Sequence, residues 1–294
     1  MKSIRIIFTS VLLSYSSLFA QSDMDLLNES AGKKHEPVLA TFKGTRLANF
    51  HTSENPGKRT LEFRISHRFG TLNGGAYNAF GLDGGASIRL GLEYSLDGRL
   101  AFGIGRTSYE KTLDGFVKYK LLEQSIDGYM PLSVTLLGGV YTSRIKNSKF
   151  DNYGWAGRTS YCMQAIVARK FNERLSLMIA PTYLHYNLVD SLGDKNDGAV
   201  IALGGRYKFD ARTAITLEYG YRVIKNFTNK SSIDLNYYDS FAVGVDIETG
   251  GHVFQMQFVN SFGIVENQFF MRTTDSWKNW GIRLGFNVSR MFFI

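Results

Sequence analysis

The amino-acid sequence predicts an all-β chain: an antiparallel transmembrane β-barrel of about twelve strands behind a short irregular N-terminal lead. Three observations predict it. Apolar and polar residues alternate at period two in twelve successive runs from Arg59 to the C-terminus. The connections between those runs alternate strictly between short and long. Finally, the 294 residues are only 44% apolar, mean hydropathy is -0.14, and no apolar run approaches the roughly 18 residues a spanning helix needs. With 30 Gly and 4 Pro, collagen-like and Pro-rich disordered chains are excluded as well.

Residues 1–20 read as a cleaved secretory signal. Lys2 and Arg5 precede an apolar stretch ending at Leu18-Phe19-Ala20, ahead of Gln21. Its removal lowers the formal charge from +8 to +6, because it carries two basic and no acidic residues. Cys162 is the one cysteine, which excludes a disulfide framework. Residues 21–58 are polar and irregular, with Asn55-Pro56-Gly57 near the end. They predict a mobile lead with a short helix at its start, lying either in the periplasm or inside the lumen. Residues 59–294 then form the barrel.

The alternating runs are Arg59–Gly70, Ala86–Tyr94, Arg99–Arg106, Phe116–Leu122, Leu132–Thr142 and Arg158–Phe171, then Leu175–Tyr186, Ala199–Phe209, Thr213–Val223, Ser240–Glu248, His252–Ser261 and Gly281–Ile294. In the first, Leu61, Phe63, Ile65 and His67 oppose Glu62, Arg64, Ser66 and Arg68. Brief polar turns follow the even-numbered runs, as at Asn172–Arg174 and Asp210–Arg212. Long connections such as Ser143–Gly157 and Phe262–Trp280 follow the odd ones. A transmembrane barrel has short periplasmic turns and long outer loops. An even strand count also returns both termini to the periplasmic side. Tyr94, Phe171, Tyr207, Phe209 and Phe292 near one set of strand ends, with Phe69, Tyr221 and Phe241 near the other, fit interfacial girdles.

Energetics assign the faces. Arg89 and Arg283, read as mid-strand residues, would cost about 2–4 kcal/mol each in hydrocarbon. The apolar faces therefore look toward lipid and the polar faces toward the lumen. By that parity the lumen carries Arg64, Arg68, Arg89, Lys118, Lys120, Arg206, Lys208, Arg222 and Arg283 against Glu62, Glu93, Glu218, Asp246 and Glu248. Glycines 91, 103, 139, 204, 220, 244 and 285 fall on the same face, where they relieve crowding. Twelve strands enclose a backbone radius of about 12 Å, leaving roughly 10 Å of width after side chains. That admits a small solute or a folded-in lead.

ISHRFGTLNGG from Ile65, IRLGLEYSLDGRL from Ile88, DGFVKYKLL from Asp114, DIETGGHVFQMQFVNS from Asp246 and GFNVSR from Gly285 resemble the membrane-bound β-barrel family called domain of unknown function 5777. The resemblance runs from about Ala40 to the C-terminus. It implies a Bacteroidota-type outer-membrane barrel and no particular activity.

Chemistry is sparse. His35, His51, His67, His185 and His252 form no tight ligand pair or HExxH motif, so no metal, cofactor or catalytic residue is assigned. Twelve is also the strand count of the outer-membrane phospholipase architecture, which uses Ser, His and Asn on its lipid face. Here His51-Thr52-Ser53-Glu54-Asn55 is the nearest combination, but it precedes the first strand. Expected partners are outer-membrane lipid and lipopolysaccharide, the barrel-assembly machinery through the C-terminal strand, and a periplasmic partner of unstated kind. Nucleic acid is not expected. The functional expectation is a passive channel for small solutes, with surplus lumen cations favouring anions. The alternatives are a structural or partner-docking barrel with a plugged lumen and, further off, a membrane enzyme.

Overall fold

The computed structural model describes residues 35–145, 154–189, 195–224 and 236–294. The signal segment, the start of the lead with its expected helix, and parts of three long connections lie outside the described residues. Twelve strands follow one another around a closed antiparallel barrel. They are β1 Thr60–Thr71, β2 Ser87–Ser95, β3 Leu100–Thr107, β4 Leu113–Leu122, β5 Ser133–Thr142, β6 Thr159–Lys170, β7 Leu175–Tyr186, β8 Asp197–Lys208, β9 Thr213–Arg222, β10 Ser240–Thr249, β11 His252–Val259 and β12 Arg283–Phe293. All twelve expected runs are present, most within two residues of the expected ends. β4 starts three residues earlier than expected, which brings Asp114 into the sheet. β12 starts at Arg283, so that residue stands at a strand end and not in mid-strand as the sequence reading placed it.

The burial pattern is inverted relative to a soluble barrel. In β2 the polar face, Ser87, Arg89, Glu93 and Ser95, is buried, while Ile88, Leu90 and Leu92 are exposed. β1 likewise buries Thr60, Glu62, Arg64, Ser66 and Arg68. Only a membrane around the outside reconciles an apolar outer wall with a charged interior. Aromatic side chains at the short-turn ends reinforce this: Phe171 and Phe292 face outward, each with a guanidinium over its ring, Arg169 at 5.3 Å and Arg290 at 5.1 Å.

Three short turns are built alike. Asp97 accepts from the backbone N–H of Arg99 and Leu100, Asn172 from Arg174 and Leu175, and Asp210 from Arg212 and Thr213. These backbone hydrogen bonds hold the Asp97 and Asp210 carboxyls below their ordinary range.

The described part of the lead, residues 35–58, is packed against the barrel and is not the mobile segment expected from its polarity. Residues 36–38 lie along the β4–β5 connection, where Val38 N donates to Gln124 O and Ile126 N to Glu36 O. His35 stacks on Tyr129 and bonds Asp127 there, and the Ser125 and His35 contacts hold the Asp127 carboxyl down to about 2. The chain then enters the barrel from the short-turn rim. It reverses through Leu47–Phe50, with Leu47 N donating to Phe50 O and Thr52 N to Thr45 O, and returns to the rim to start β1. We call residues 41–56 the tongue.

Closure depends on the β1–β12 seam, paired from Thr60↔Phe293 to Arg68↔Gly285 and finished by Ile294 N donating to Arg59 O. Deleting Phe292–Ile294 removes the β12 partners of Thr60 and Leu61 and the donor to the Arg59 carbonyl. Such a variant should lose most of its heat-modifiable, membrane-inserted form on a semi-native gel, whereas undiminished levels would contradict the role of this seam.

Candidate functional site

The interior is filled by two pieces of chain that meet end to end. From one end comes the tongue. From the other comes the β11–β12 connection, whose residues 261–271 fold inward around a one-turn helix, Glu266–Phe269. The sequence reading had placed Phe262–Trp280 outside as an external loop. Its apolar cluster Ile264, Val265, Phe269, Phe270 and Met271 is what overturns that reading, since each is at most 3% exposed. Phe50 at the tongue tip packs on Phe269 and Phe270, with ring centroids 5.5 and 4.9 Å apart.

On the β5–β8 side this junction forms a dry core. Phe42, Leu47 and Phe50 of the tongue cluster with Phe269, Phe270 and Met271 of the loop and with inward Ile166, Met178, Leu184 and Val200 of the wall. Polar contacts hold the other side. Glu218 of β9 accepts from the backbone N–H of Asn49 at 2.8 Å and of Phe50 at 2.7 Å, fixing the reversal of the chain. Thr45 donates to Glu62 at 2.6 Å, Lys118 to the Glu54 carbonyl at 2.5 Å, and Thr135 to the Ser53 carbonyl at 3.0 Å. Arg68 donates to the Ala48 carbonyl and to the Asn49 side chain. The tongue is therefore tied to β1, β4, β5, β9 and, through Asn287, to β12.

One buried cluster joins tongue, loop and wall. Arg46 donates to Glu266 at 2.9 Å and to the Asn49 carbonyl at 3.0 Å, and Tyr141 of β5 donates to the other Glu266 oxygen at 2.7 Å. His51 lies within 3.4 Å of Glu266 and packs edge-on against Phe116. His51, Ser53 and Asn55, the nearest approach to a hydrolytic set in the sequence, thus sit in the tongue inside the barrel and away from its lipid face.

The expected lumen residues fall as follows. Arg64 pairs with Glu62 at 2.6 Å, Lys118 with Glu93 at 3.5 Å, and Arg206 with Glu248 at 2.6 Å. Asp246 accepts from Gln255. Arg89, Lys120, Arg222 and Arg283 find carboxylates that parity did not supply: Asp114, Glu54 with Glu123, Asp239 and Asp275. Arg68 is held by neutral oxygens, and Lys208, half-buried at the short-turn end of β8, makes no ion pair with a described residue. Among the described residues the expected surplus of lumen cations shrinks to Arg68 and Lys208, because the loops, the lead and the earlier start of β4 bring acids that the strand-face count omitted. The void beside Arg46, Glu62 and Arg64 measures about 10 Å³, room for about one water.

Glycine makes the room for this packing. Gly91 pairs with Gly105, and a Cβ on either would collide with the Arg89 guanidinium that reaches across them to Asp114. Residues missed by sequence reasoning are Arg46, Asn49, Asp114, Tyr141 and Glu266. Asp114 carried a signal, since it shares the parity of Lys118; the others depend on where non-strand chain is threaded.

A closed barrel with an apolar outer belt and a charged, filled interior defines a transmembrane β-barrel. The chain belongs to the family described as membrane bound beta barrel domain (DUF5777), whose model matches residues 42–292. No curated protein matches the sequence significantly. Among solved structures the chain is similar to the NanC porin at 9% identity and TM-score 0.47, covering 80% of this chain and 99% of that one. It is similar to the COG4313 outer membrane channel from Pseudomonas putida F1 at 18% and 0.42, covering 81% and 96%. Outer membrane phospholipase A from Escherichia coli shows 11% and 0.44, covering 80% and 93%. Channels and an enzyme stand side by side at such values, so no function transfers from them.

Truncating one partner of a buried pair leaves the other charge uncompensated. Arg46→Ala should destabilise the barrel by about 3 kcal/mol in urea unfolding. Adding Glu266→Gln should recover part of that loss. Additive losses from the two single changes would show that the pair is not coupled.

Proposed function

We propose that this chain lies in the outer membrane with its short turns in the periplasm and acts there as a closed barrel, a structural or partner-docking element and not an open passive pore. The observation that carries the reading is the tongue. Withdrawing it would expose Phe42, Leu47 and Phe50, each worth roughly 1.5–3 kcal/mol of burial. It would also strip Glu218 of its backbone donors and part the Arg46–Glu266 pair. A segment held by an apolar core and several buried polar contacts is a built part of the fold. The orientation is supported by the export signal read at the N-terminus together with entry of the lead at the short-turn rim, as an exported chain requires.

Orientation is tested with an impermeant thiol reagent on intact cells in a Cys162→Ser background. Lys278→Cys in the long β11–β12 connection should label and Glu173→Cys in a short turn should not. The reverse pattern would invert the arrangement.

Closure is tested in planar bilayers. Full-length protein should be silent. Leu47→Asp with Phe50→Asp, which charges the tongue tip while leaving the strands intact, should produce openings if it still migrates as a heat-modifiable barrel. Steady conductance from unaltered protein would sink the closed reading and restore the passive channel.

A further inference from the structure

The lipid-facing wall carries one feature that neither closure nor the tongue explains. Parity puts few charges outward. Arg169 and Arg290 do face out, but both lie at the short-turn ends and cover Phe171 and Phe292. In the half of the wall toward the long loops, Arg106 is the one outward-facing cation among the described strand residues. It lies one residue from the end of β3, and its side chain makes no hydrogen bond or ion pair with any described residue.

Arg106 tops an apolar groove of about 500 Å³ in the outer wall, lined by Phe63, Leu90, Leu92, Ile104 and Leu113. The register explains the groove. Leu90 and Leu113 flank Arg106 on neighbouring strands, and one step further down the wall Ile104 pairs with Leu92, which pairs with Phe63. The row of Leu113, Arg106 and Leu90 and the row of Ile104, Leu92 and Phe63 therefore bound a furrow floored by the backbone at Gly91 and Gly105, with a guanidinium on its upper edge. Exposed Lys111 in the β3–β4 connection adds a second positive charge at the same rim.

An arginine at a membrane interface costs little, but one left without a carboxylate is suited to a phosphate, which it can grip with two N–H donors. A groove that continues from it into the hydrocarbon zone suits an acyl chain of the same molecule. We infer that Arg106 and the groove below it form a site for a phosphorylated, multiply acylated saccharolipid of the outer leaflet, phosphate on Arg106 and one acyl chain against Leu90, Leu92 and Ile104. The inference rests on the orientation proposed above, which places this rim outside.

The test is native mass spectrometry of the full-length barrel released from detergent with lipid A, dephosphorylated lipid A or phosphatidylglycerol added in turn. Unaltered protein should retain one lipid A. Arg106→Glu should weaken that retention about tenfold, the loss of one charge-assisted contact. Ile104→Trp should weaken it too by filling the groove; Ile104 faces outward and is exposed, so the barrel should still form. Arg290→Glu at the opposite rim should change nothing, and removing the phosphates should abolish the dependence on Arg106. Equal retention by Arg106→Glu and unaltered protein would overturn the site. Phosphatidylglycerol bound as tightly, with the same dependence, would overturn the saccharolipid assignment. A dimer persisting after delipidation would assign the groove to a second copy of the chain. Thiol labelling reports the orientation independently, so an inverted barrel and an absent site give different results.

Discussion

Closing twelve strands creates an interior that side chains alone do not fill, and the packing of that interior answers the constraint. An eight-stranded barrel is narrow enough for inward side chains to meet at the axis, whereas wider ones hold water, ligand or additional chain. Here additional chain enters from both ends. The tongue supplies hydrogen-bonding backbone as well as side chains, which is why it can occupy a polar lumen: its N–H groups at Asn49 and Phe50 find a carboxylate, and its carbonyls at Ala48, Ser53 and Glu54 find cations and a hydroxyl.

The two sides of the interior use different physics. Toward β5–β8 the wall contributes inward Ile166, Met178, Leu184 and Val200, and the tongue and the inward loop present Phe and Leu to them. That region behaves as a protein core and gives the plug its non-directional cohesion. Toward β1–β4 and β9–β12 the inward residues include most of the buried charges, among them Glu62, Arg64, Arg68, Arg89, Lys118 and Glu218. Burying charges is costly unless each is paired and its remaining donors are satisfied, so this side contributes position more than stability. The Glu62–Arg64–Thr45 and Arg46–Glu266–Tyr141 groups fix where the tongue lies because displacement would orphan a buried charge.

Since the tongue starts at the short-turn rim and the inward loop at the opposite one, their contact at Phe50, Phe269 and Glu266 spans the interior of the barrel. A displacement of either plug must disturb the other through the same few side chains. Closure is thus a joint property of two segments far apart in sequence, with Arg46 and Glu266 separated by 220 positions.

What the sequence by itself determined is the wall. Strand existence, count, face and turn placement are all local, because period-two alternation and turn residues such as Asp97, Asn172 and Asp210 act over a few neighbours. Arg64, Arg89, Lys118 and Glu218 could be assigned to the inside because lipid does not tolerate them outside. Only the tertiary structure decided what fills that inside. The lead looked mobile because its apolar anchors Phe42, Leu47 and Phe50 are spaced without strand or helix period, and irregular chain leaves no periodic trace of the surface it packs on. For the same reason residues 261–271 read as an external loop, although Phe269-Phe270-Met271 is a cluster water would not hold. Charge balance was also beyond a strand-face count. Arg222 and Arg283 are matched by Asp239 and Asp275 from connecting segments, and such pairing depends on the path of the backbone through space, which no local pattern encodes.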